Sequence, residues 1–203
     1  GLDRMDIEYA ADLGYRIKML AIIKDIEGGL EIRVNPTLVP VQHVMASVHG
    51  VFNAVMMNGD GVGDVLCYGR GAGRDPTASA VLSDVIDAAR DIVSNSKRRA
   101  PGFVPFRQDG RIRDIREARV RCYLRLSLLD KPGVFGQIGT VLGRHGISIA
   151  SLMQKEILAG NHAPVVIITH HASEGAFRAA LQEMDSMSVV GAPAVRFRIE
   201  DFE

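Results

Sequence analysis

Three alternating glycines ahead of a helical segment are the first residues in the chain whose spacing could support chemistry. The stretch "CYGRGAGRDPTASAV" contains Gly69, Gly71 and Gly73. Glycine loops that open a helix often bind phosphates or dinucleotides, because their backbone N–H groups are accessible to the ligand. The G-x-G-x-x-G spacing fails, since the sixth residue is Arg74 counted from Gly69 and Pro76 counted from Gly71. The residues alone leave open whether this loop binds a ligand or forms only a tight turn.

A second loop, in "LLDKPGVFGQIGTVLGRHGISI", joins a strand-like segment to a helix-like one. Asp130 ends the strand, and Pro132 and Gly133 stand at the mouth of the helix. Gly133 would let a ligand approach the backbone closely, and the first helical turn offers free N–H groups to a carboxylate. The alternative is a helix start that binds nothing.

The other reactive side chains show no catalytic or metal-binding pattern. His43 and His49 lie six residues apart and His170 and His171 are adjacent, without Cys, Asp or Glu at metal-ligand spacing. No histidine has a visible Ser or Cys partner for nucleophilic catalysis. Lys18 is interpreted as a charged residue at a helix–strand junction. We therefore expect no metal site and no catalytic residue in these 203 residues.

Bulk composition argues against several classes of protein. Hydrophobic residues make up 47% of the 203-residue chain, enough for a buried core, while 24 basic and 24 acidic residues cancel. A net charge of zero gives no electrostatic reason to expect nucleic-acid binding. No apolar run reaches the roughly 18 residues of a membrane helix, so no membrane partner is expected. Two cysteines imply no disulfide framework, which favours a reducing, cytoplasmic location.

Hydrophobic spacing in the first half of the chain predicts a mixture of helices and strands. A helix capped by Asp6 precedes two strands joined by Gly28-Gly29, and a second strand pair surrounds "GDGVG". We expect these two hairpins to form a mixed or antiparallel sheet. A helix capped by Asp75 then runs to about Val93.

The second half begins with a basic stretch rich in proline and glycine, which is interpreted as a linker. From Cys122 the pattern reads strand, helix, strand, strand, helix capped by Ser173, and strand. This βαββαβ order is the ferredoxin-like arrangement. The sequence thus predicts an α+β protein, with a sheet-and-helix domain over 1–95, a linker over 96–119 and a ferredoxin-like domain over 120–203.

The last part of the chain resembles an ACT domain. The resemblance rests on the motif "LLDKPGVFGQIGTVLGRHGISIASLMQKE" together with the βαββαβ order. ACT domains pair through their sheets or helices and bind a free amino acid at that interface. The resemblance therefore implies an effector site at Asp130, Pro132, Gly133 and Ile147. Because some ACT domains only dimerise, a purely structural dimerisation module stays open.

The first part, roughly residues 1–93, resembles the end of a homoserine dehydrogenase. Five stretches follow in that family's order: "ADLGYRIKMLAI", "EIRVNPTLVP", "HVMASVHGVFNAV", "GDGVGDVLCYGRGAG" and "PTASAVLSDVIDAAR". A C-terminal ACT domain is common in the bacterial form of that family, so the two resemblances agree. They imply that residues 1–95 are the C-terminal part of the catalytic and substrate domain, with a share in the dimer interface.

One departure from the family limits what the chain is expected to do alone. The family's dinucleotide-binding βαβ unit and its catalytic lysine segment precede the matching part, and neither is found in these 203 residues. We therefore expect the chain, which starts with Gly1, to be the C-terminal part of a longer enzyme and to be inactive by itself. The resemblance still implies that Gly71, Gly73 and Thr77 contribute to a site for NAD or NADP.

The resemblance also implies a reaction and a regulator for the whole enzyme. It would interconvert L-homoserine and L-aspartate 4-semialdehyde as a homodimer or homotetramer, with threonine as the amino-acid effector. The alternative is a stand-alone amino-acid-binding regulatory or dimerisation protein without enzymatic activity.

Overall fold

The protein is a mixture of helices and strands. The computed structural model describes residues 2–27, 29–95, 111–154 and 161–202. Short 3-10 turns lie at Val44–Ser47 and Ile115–Glu117. The other elements, in chain order, are α1 (Arg4–Asp12), β1 (Tyr15–Ile26), β2 (Gly29–Pro40), β3 (Phe52–Gly59), β4 (Gly63–Arg70), α2 (Arg74–Val93), β5 (Arg119–Leu129), α3 (Val134–Arg144), β6 (Ile149–Gln154), β7 (His162–Thr169), β8 (Ala172–Ser173), α4 (Glu174–Asp185) and β9 (Val190–Ile199).

Side-chain caps set the starts of α1 and α4. The predicted cap Asp6 is wrong, because Asp3 caps α1 by accepting from the N–H of Met5 at 3.0 Å. Asp6 is the third helical residue and accepts from the N–H of Asp3 at 3.0 Å, which completes a capping box. The predicted cap Ser173 is confirmed for α4, since its hydroxyl accepts from the N–H of Ala176 at 3.2 Å.

Most of the strands form one sheet with the order β1-β2-β9-β5-β7-β6, and β8 pairs with β5. The predicted βαββαβ order is confirmed in β5, α3, β6, β7, α4 and β9. The hairpin β1–β2 extends this sheet, because β2 runs parallel to β9. The second hairpin, β3–β4, forms a separate two-stranded sheet. The two predicted hairpins therefore exist, but they do not share a sheet.

The chain folds into two compact units. Gly1–Ala46 and Gly110–Glu203 make up the first, and Ser47–Asp109 makes up the second. This grouping joins the first 46 residues to the C-terminal sheet. The division into 1–95, 96–119 and 120–203 stays a prediction about family domains, and residues 96–110 of that linker lie outside the described residues.

The C-terminal sheet is covered on both faces around its central strand β5. Successive side chains of β5 point to opposite faces, as they must in a strand. One face packs Leu124 and Leu126 against α3 and α4, where Ile138 and Phe177 are fully buried. The opposite face packs Tyr123 against a group that includes residues of α1, β2 and β9: Tyr9, Ala10, Leu38, Phe197 and Ile199.

A buried ion pair fixes α1 on the second face of the sheet. Asp6 is fully buried and accepts from Arg125 Nε at 2.6 Å, from Arg125 Nη2 at 3.0 Å and from the Tyr123 hydroxyl at 3.0 Å. Burial opposes ionisation of Asp6, but the Arg125 hydrogen bond, the backbone N–H of Asp3 and the Arg125 charge outweigh it and lower the pKa of Asp6. Burial raises the pKa of Tyr123, and the neighbouring Asp6 charge raises it further.

Replacing Asp6 by Ala is expected to lower the free energy of unfolding by about 3 kcal/mol, because Arg125 and the Tyr123 hydroxyl lose their buried acceptor. Glu8→Ala on the same helix is the matched control. Glu8 pairs with Arg4 at the surface, where an ion pair contributes about 0.5 kcal/mol. Urea unfolding of the two variants measures the difference. Equal losses in both would contradict a stabilising role for the buried pair.

The contribution of Asp6 is also expected to depend on pH. Its pKa in the folded protein lies below the ordinary value of 3.8, so the carboxylate stabilises the fold above that value. The stabilisation is lost as the pH falls from 3.8 through the lower, folded-state pKa. The difference in unfolding free energy between the native chain and Asp6→Ala should therefore shrink on acidification. Urea titrations at a series of pH values would reveal a constant difference if this linkage were absent.

Candidate functional site

The glycine loop connects β4 to α2 and is held by its own unit. The N–H of Gly71 donates to the carbonyl of Val51 at 3.3 Å. A Cβ at Gly71 would overlap the side-chain amide of the exposed Asn53, so that flexible side chain would have to move to make room. Gly73 has φ +128 and caps α2 without a side-chain hydrogen bond. Gly73 is thus explained by the backbone conformation at the helix start, while Gly71 lies close beneath the Asn53 side chain.

The expected cap of α2 is corrected. Asp75 is not the cap, since α2 begins at Arg74 and Gly73 caps it. The N–H of Thr77 is not free, because it donates to the carbonyl of Gly73 at 3.1 Å. The side chain of Thr77 is exposed and faces a shallow, open depression together with Gly73. Asp75 instead pairs with its neighbour Arg74 at 3.1 Å.

The structure thus brings two of the three predicted cofactor residues to one surface. Gly73, Arg74, Thr77, Ala78, Val81 and Leu82 line the depression. The first turn of α2 carries the positive end of the helix dipole and has no side-chain cap, and the exposed Arg74 there is paired with Asp75. Because the charges of Arg74 and Asp75 offset each other, the helix dipole is what favours a negatively charged group such as a phosphate at this surface.

The second unit exposes an extensive apolar surface. No residue of the 20-residue α2 is buried, and the side chains on its apolar stripe are about half exposed or more: Val81, Leu82, Val85 and Ile86. The hairpin β3–β4 likewise exposes Val55, Met57, Val65, Leu66 and Tyr68. An amphipathic helix normally buries its apolar stripe, and apolar surface of this extent marks an interaction site.

The second loop, between β5 and α3, is exposed and lacks a side-chain cap. Gly133 is the residue before α3 and has φ +85, a left-handed conformation that favours glycine. A Cβ at this position would meet no other atom, so the space above the helix start is open. The N–H of Asp130 donates to the carbonyl of Asn161 at 2.9 Å and fixes the start of the loop. Asp130, Pro132 and Gly133 therefore share one accessible surface.

Ile147 does not lie on that surface. Its side chain is only 2% exposed and belongs to the hydrophobic core, and its N–H donates to the carbonyl of Leu142 at 2.9 Å. It follows the far end of α3, a helix of 11 residues and about 16 Å. Within one chain, Ile147 and Gly133 are thus separated by the length of the helix. The buried side chain of Ile147 is therefore not accessible to an effector in this structure.

Buried ionic clusters were not found by sequence reasoning. Besides Asp6, the carboxylate of Glu174 at the start of α4 is fully buried between Arg196 and Arg198. The alternation of arginines in "VRFRIE" indicates one charged face of a strand, which is a usable signal for these two residues. The carboxylate partner lies 22 residues from Arg196, and no local pattern identifies it.

Other chemistry finds little support in the described parts of the chain. No three His, Cys, Asp or Glu side chains there are grouped to hold a metal ion. Burial raises the pKa of the Cys122 thiol to about 12, which makes it a poor nucleophile. Helices long and apolar enough to cross a membrane are also absent from residues 2–27, 29–95, 111–154 and 161–202.

Family models match both halves of the chain. The homoserine dehydrogenase model matches residues 1–86, and the ACT domain model matches residues 123–187. A homoserine dehydrogenase from Pseudomonas aeruginosa is 41% identical over 203 residues, covering 98% of this chain and 47% of the relative. The homoserine dehydrogenase from Neisseria gonorrhoeae is 41% identical over 202 residues, with 98% and 46% covered.

Solved structures agree with these relatives. The crystal structure of a homoserine dehydrogenase from Thiobacillus denitrificans matches with a TM-score of 0.87 at 39% identity, covering 98% of this chain and 46% of that one. A homoserine dehydrogenase structure from S. aureus, 23% identical with a TM-score of 0.61, shows the same fold. The chain spans about half the length of the curated relatives it matches. The chain belongs to the homoserine dehydrogenase family. It corresponds to the C-terminal part of the members that carry an ACT domain.

Proposed function

We propose that the chain is part of an enzyme that interconverts L-homoserine and L-aspartate 4-semialdehyde with NAD or NADP. The observation that carries the proposal is the 41% identity to homoserine dehydrogenases across 98% of the chain. The nicotinamide would supply hydride transfer to and from the aldehyde carbon. The chain's own contribution is one wall of the site, where the first turn of α2 and the Thr77 hydroxyl face the cofactor and Gly71 keeps the loop against Asn53.

The exposed apolar surfaces support a larger assembly. In this proposal the part of the enzyme that binds the dinucleotide covers the apolar stripe of α2. Beyond the part that α1 covers, the same face of β1–β2 is also apolar, and Met19, Ile23 and Val34 are each 69% exposed. Pairs of such faces bury apolar surface favourably, which supports a homodimer or homotetramer. A cytoplasmic location belongs to the same proposal, since Cys67 and Cys122 are free thiols.

The ACT domain would bind an amino-acid effector, with threonine as the candidate. Its carboxylate suits the uncapped start of α3, where Gly133 leaves the space open. Because Ile147 lies at the far end of α3, one ligand could meet both regions only where two copies pair. Within the described sheet, β9 is joined to β2, so β6 is the ACT strand whose outer edge is open for that pairing.

A stand-alone amino-acid-binding protein is the second candidate. The exposed loop around Gly133 would serve it equally well, and it requires no catalytic residue in the chain. The apolar surfaces of α2 and β3–β4 favour the first proposal, because an isolated regulatory protein would not need them.

Threonine is expected to bind the 203-residue chain, and Gly133→Ala should weaken binding about tenfold, because the methyl group enters the open space and strains a left-handed residue. Gly139→Ala, on the same helix and equally free of close neighbours, is the control and should bind normally. Isothermal titration calorimetry measures both affinities. If neither millimolar threonine nor any other amino acid gives a heat signal, the result would favour a domain that only dimerises.

The 203-residue chain alone is expected to show no dehydrogenase turnover, because it contains neither a dinucleotide fingerprint nor the family's lysine segment. Absorbance at the reduced nicotinamide band, with homoserine and NAD or NADP, measures the reaction. A homoserine-dependent rise would overturn the view that these residues supply only one wall of the site. A threonine signal without turnover fits both candidates. Adding the N-terminal half of a relative separates the two candidates, because only the first candidate predicts that activity is restored.

A further inference from the structure

The residues that follow β9 connect the end of the C-terminal sheet to the hairpin β1–β2. Residues 200–202, the C-terminal strap, lie beyond both ranges matched by family models. Glu200 is 5% exposed, and its N–H donates to the carbonyl of Leu38 at 3.1 Å. Its carboxylate accepts from Lys24 Nζ at 2.7 Å and pairs with the guanidinium of Arg33.

Burial makes this cluster sensitive to the loss of any member. Arg33 and Glu31 are also buried, and they pair with each other on the same face of β2. If Glu200 were neutral, Arg33 would keep a single carboxylate partner in a region of low dielectric constant, which is costly. The cluster therefore holds β1, β2 and the strap in one arrangement.

The other two strap residues make independent contacts. Asp201 accepts from Arg121 Nη1 at 2.7 Å and lies 3.3 Å from His171 Nε2. The Phe202 ring stacks on His43 with 3.6 Å between centroids and 11° between planes. Phe202 also packs against the small cluster of Leu20, Val39 and Ala46. The strap thus touches β1, β2, β5, the segment after β7 and the turn after β2.

Strand pairing alone would leave the hairpin loosely held at this edge. The pairing of β2 with β9 consists of two residue pairs, Thr37 with Arg198 and Leu38 with Ile199. By contrast, twelve pairs join β1 to β2, so the two strands of the hairpin are held together along their whole length. A restraint at its edge therefore positions the whole hairpin.

We propose that the C-terminal strap is the joint that positions hairpin β1–β2 against the ACT sheet and transmits the effector state to it. The path is continuous: β5 runs from the effector loop at Asp130 back to Arg121, Arg121 holds Asp201, and the adjacent Glu200 holds Arg33. The transmitting half rests on the proposed function, because it requires an effector at the ACT loop. The positioning role of the joint does not require an effector. Contacts that differ between the effector-bound and effector-free states would bias the hairpin through this joint.

Hydrogen exchange on the 203-residue chain without ligand tests the joint. In Glu200→Gln, and in the milder Phe202→Ala, the amides of β1 and β2 should exchange at least about tenfold faster, while those of β5, β7 and α3 stay unchanged. Glu183→Gln is the matched control and should leave the hairpin unaffected. Glu183 pairs with Arg144 and His145, and not with a residue that the strap contacts. Unchanged hairpin exchange, or equal acceleration throughout the sheet, would overturn the proposal.

The same experiment with threonine tests transmission. In the native chain, threonine should slow exchange at the loop around Gly133 and also in β2. In the strap variants only the loop should respond, and persistent protection of β2 would overturn transmission through the strap. If threonine changes hydrogen exchange at no position, the effector assignment and the transmission both fail. The ligand-free comparison still tests whether the strap positions the hairpin.

Discussion

The burial of β5 on both faces is the constraint around which the first unit is built. Leu124 and Leu126 are fully buried against α3 and α4, and Tyr123 is fully buried on the other side. A ferredoxin-like order supplies helices to one face of its sheet only, so the second face needs another cover. Residues from the start of the chain provide it through α1 and β2, which is why they fold together with the C-terminal sheet.

Charged groups reinforce this cover rather than create it. The apolar contacts of Tyr9, Ala10 and Leu38 remove surface from water, whereas Asp6 and Arg125 must recover the hydration that they lose. Asp6 does so with three side-chain hydrogen bonds and the N–H of Asp3. Geometry of this kind allows little sliding of α1 on the sheet. The ion pairs of Glu200 and Glu174 place comparable restraints at other positions of the same unit.

The second unit shows the opposite situation, since its apolar side chains remain on the outside. Its α2 contains good helix signals and a clear apolar stripe, yet none of its residues is buried. The glycine loop ahead of it is ordered by local causes, namely Asn53 above Gly71 and the unusual φ of Gly73. Restricted backbone conformations in such a loop would reduce the conformational entropy lost when a ligand binds.

Much of the fold followed from local patterns. Periodicity and turn residues predicted the helices, both hairpins and the βαββαβ order, because these depend on neighbours within a few residues. The sequence alone also showed that the glycine loop lacks the spacing of a dinucleotide-binding motif. Caps were less secure: Asp3 and Asp6 stand three apart and both suit a helix start, and only the structure shows which one caps and which one is buried.

The sequence by itself determined the element types, the two glycine loops and the family resemblance, because composition, periodicity and motif order are local or additive properties. Only the tertiary structure decided that β1–β2 joins the C-terminal sheet, that Ile147 lies in the core and that Asp6 meets Arg125. The first and the last of those outcomes depend on contacts between residues more than 100 positions apart, such as the 119 that separate Asp6 from Arg125. Such contacts are selected by burial and charge pairing in three dimensions, for which no local pattern in the sequence exists.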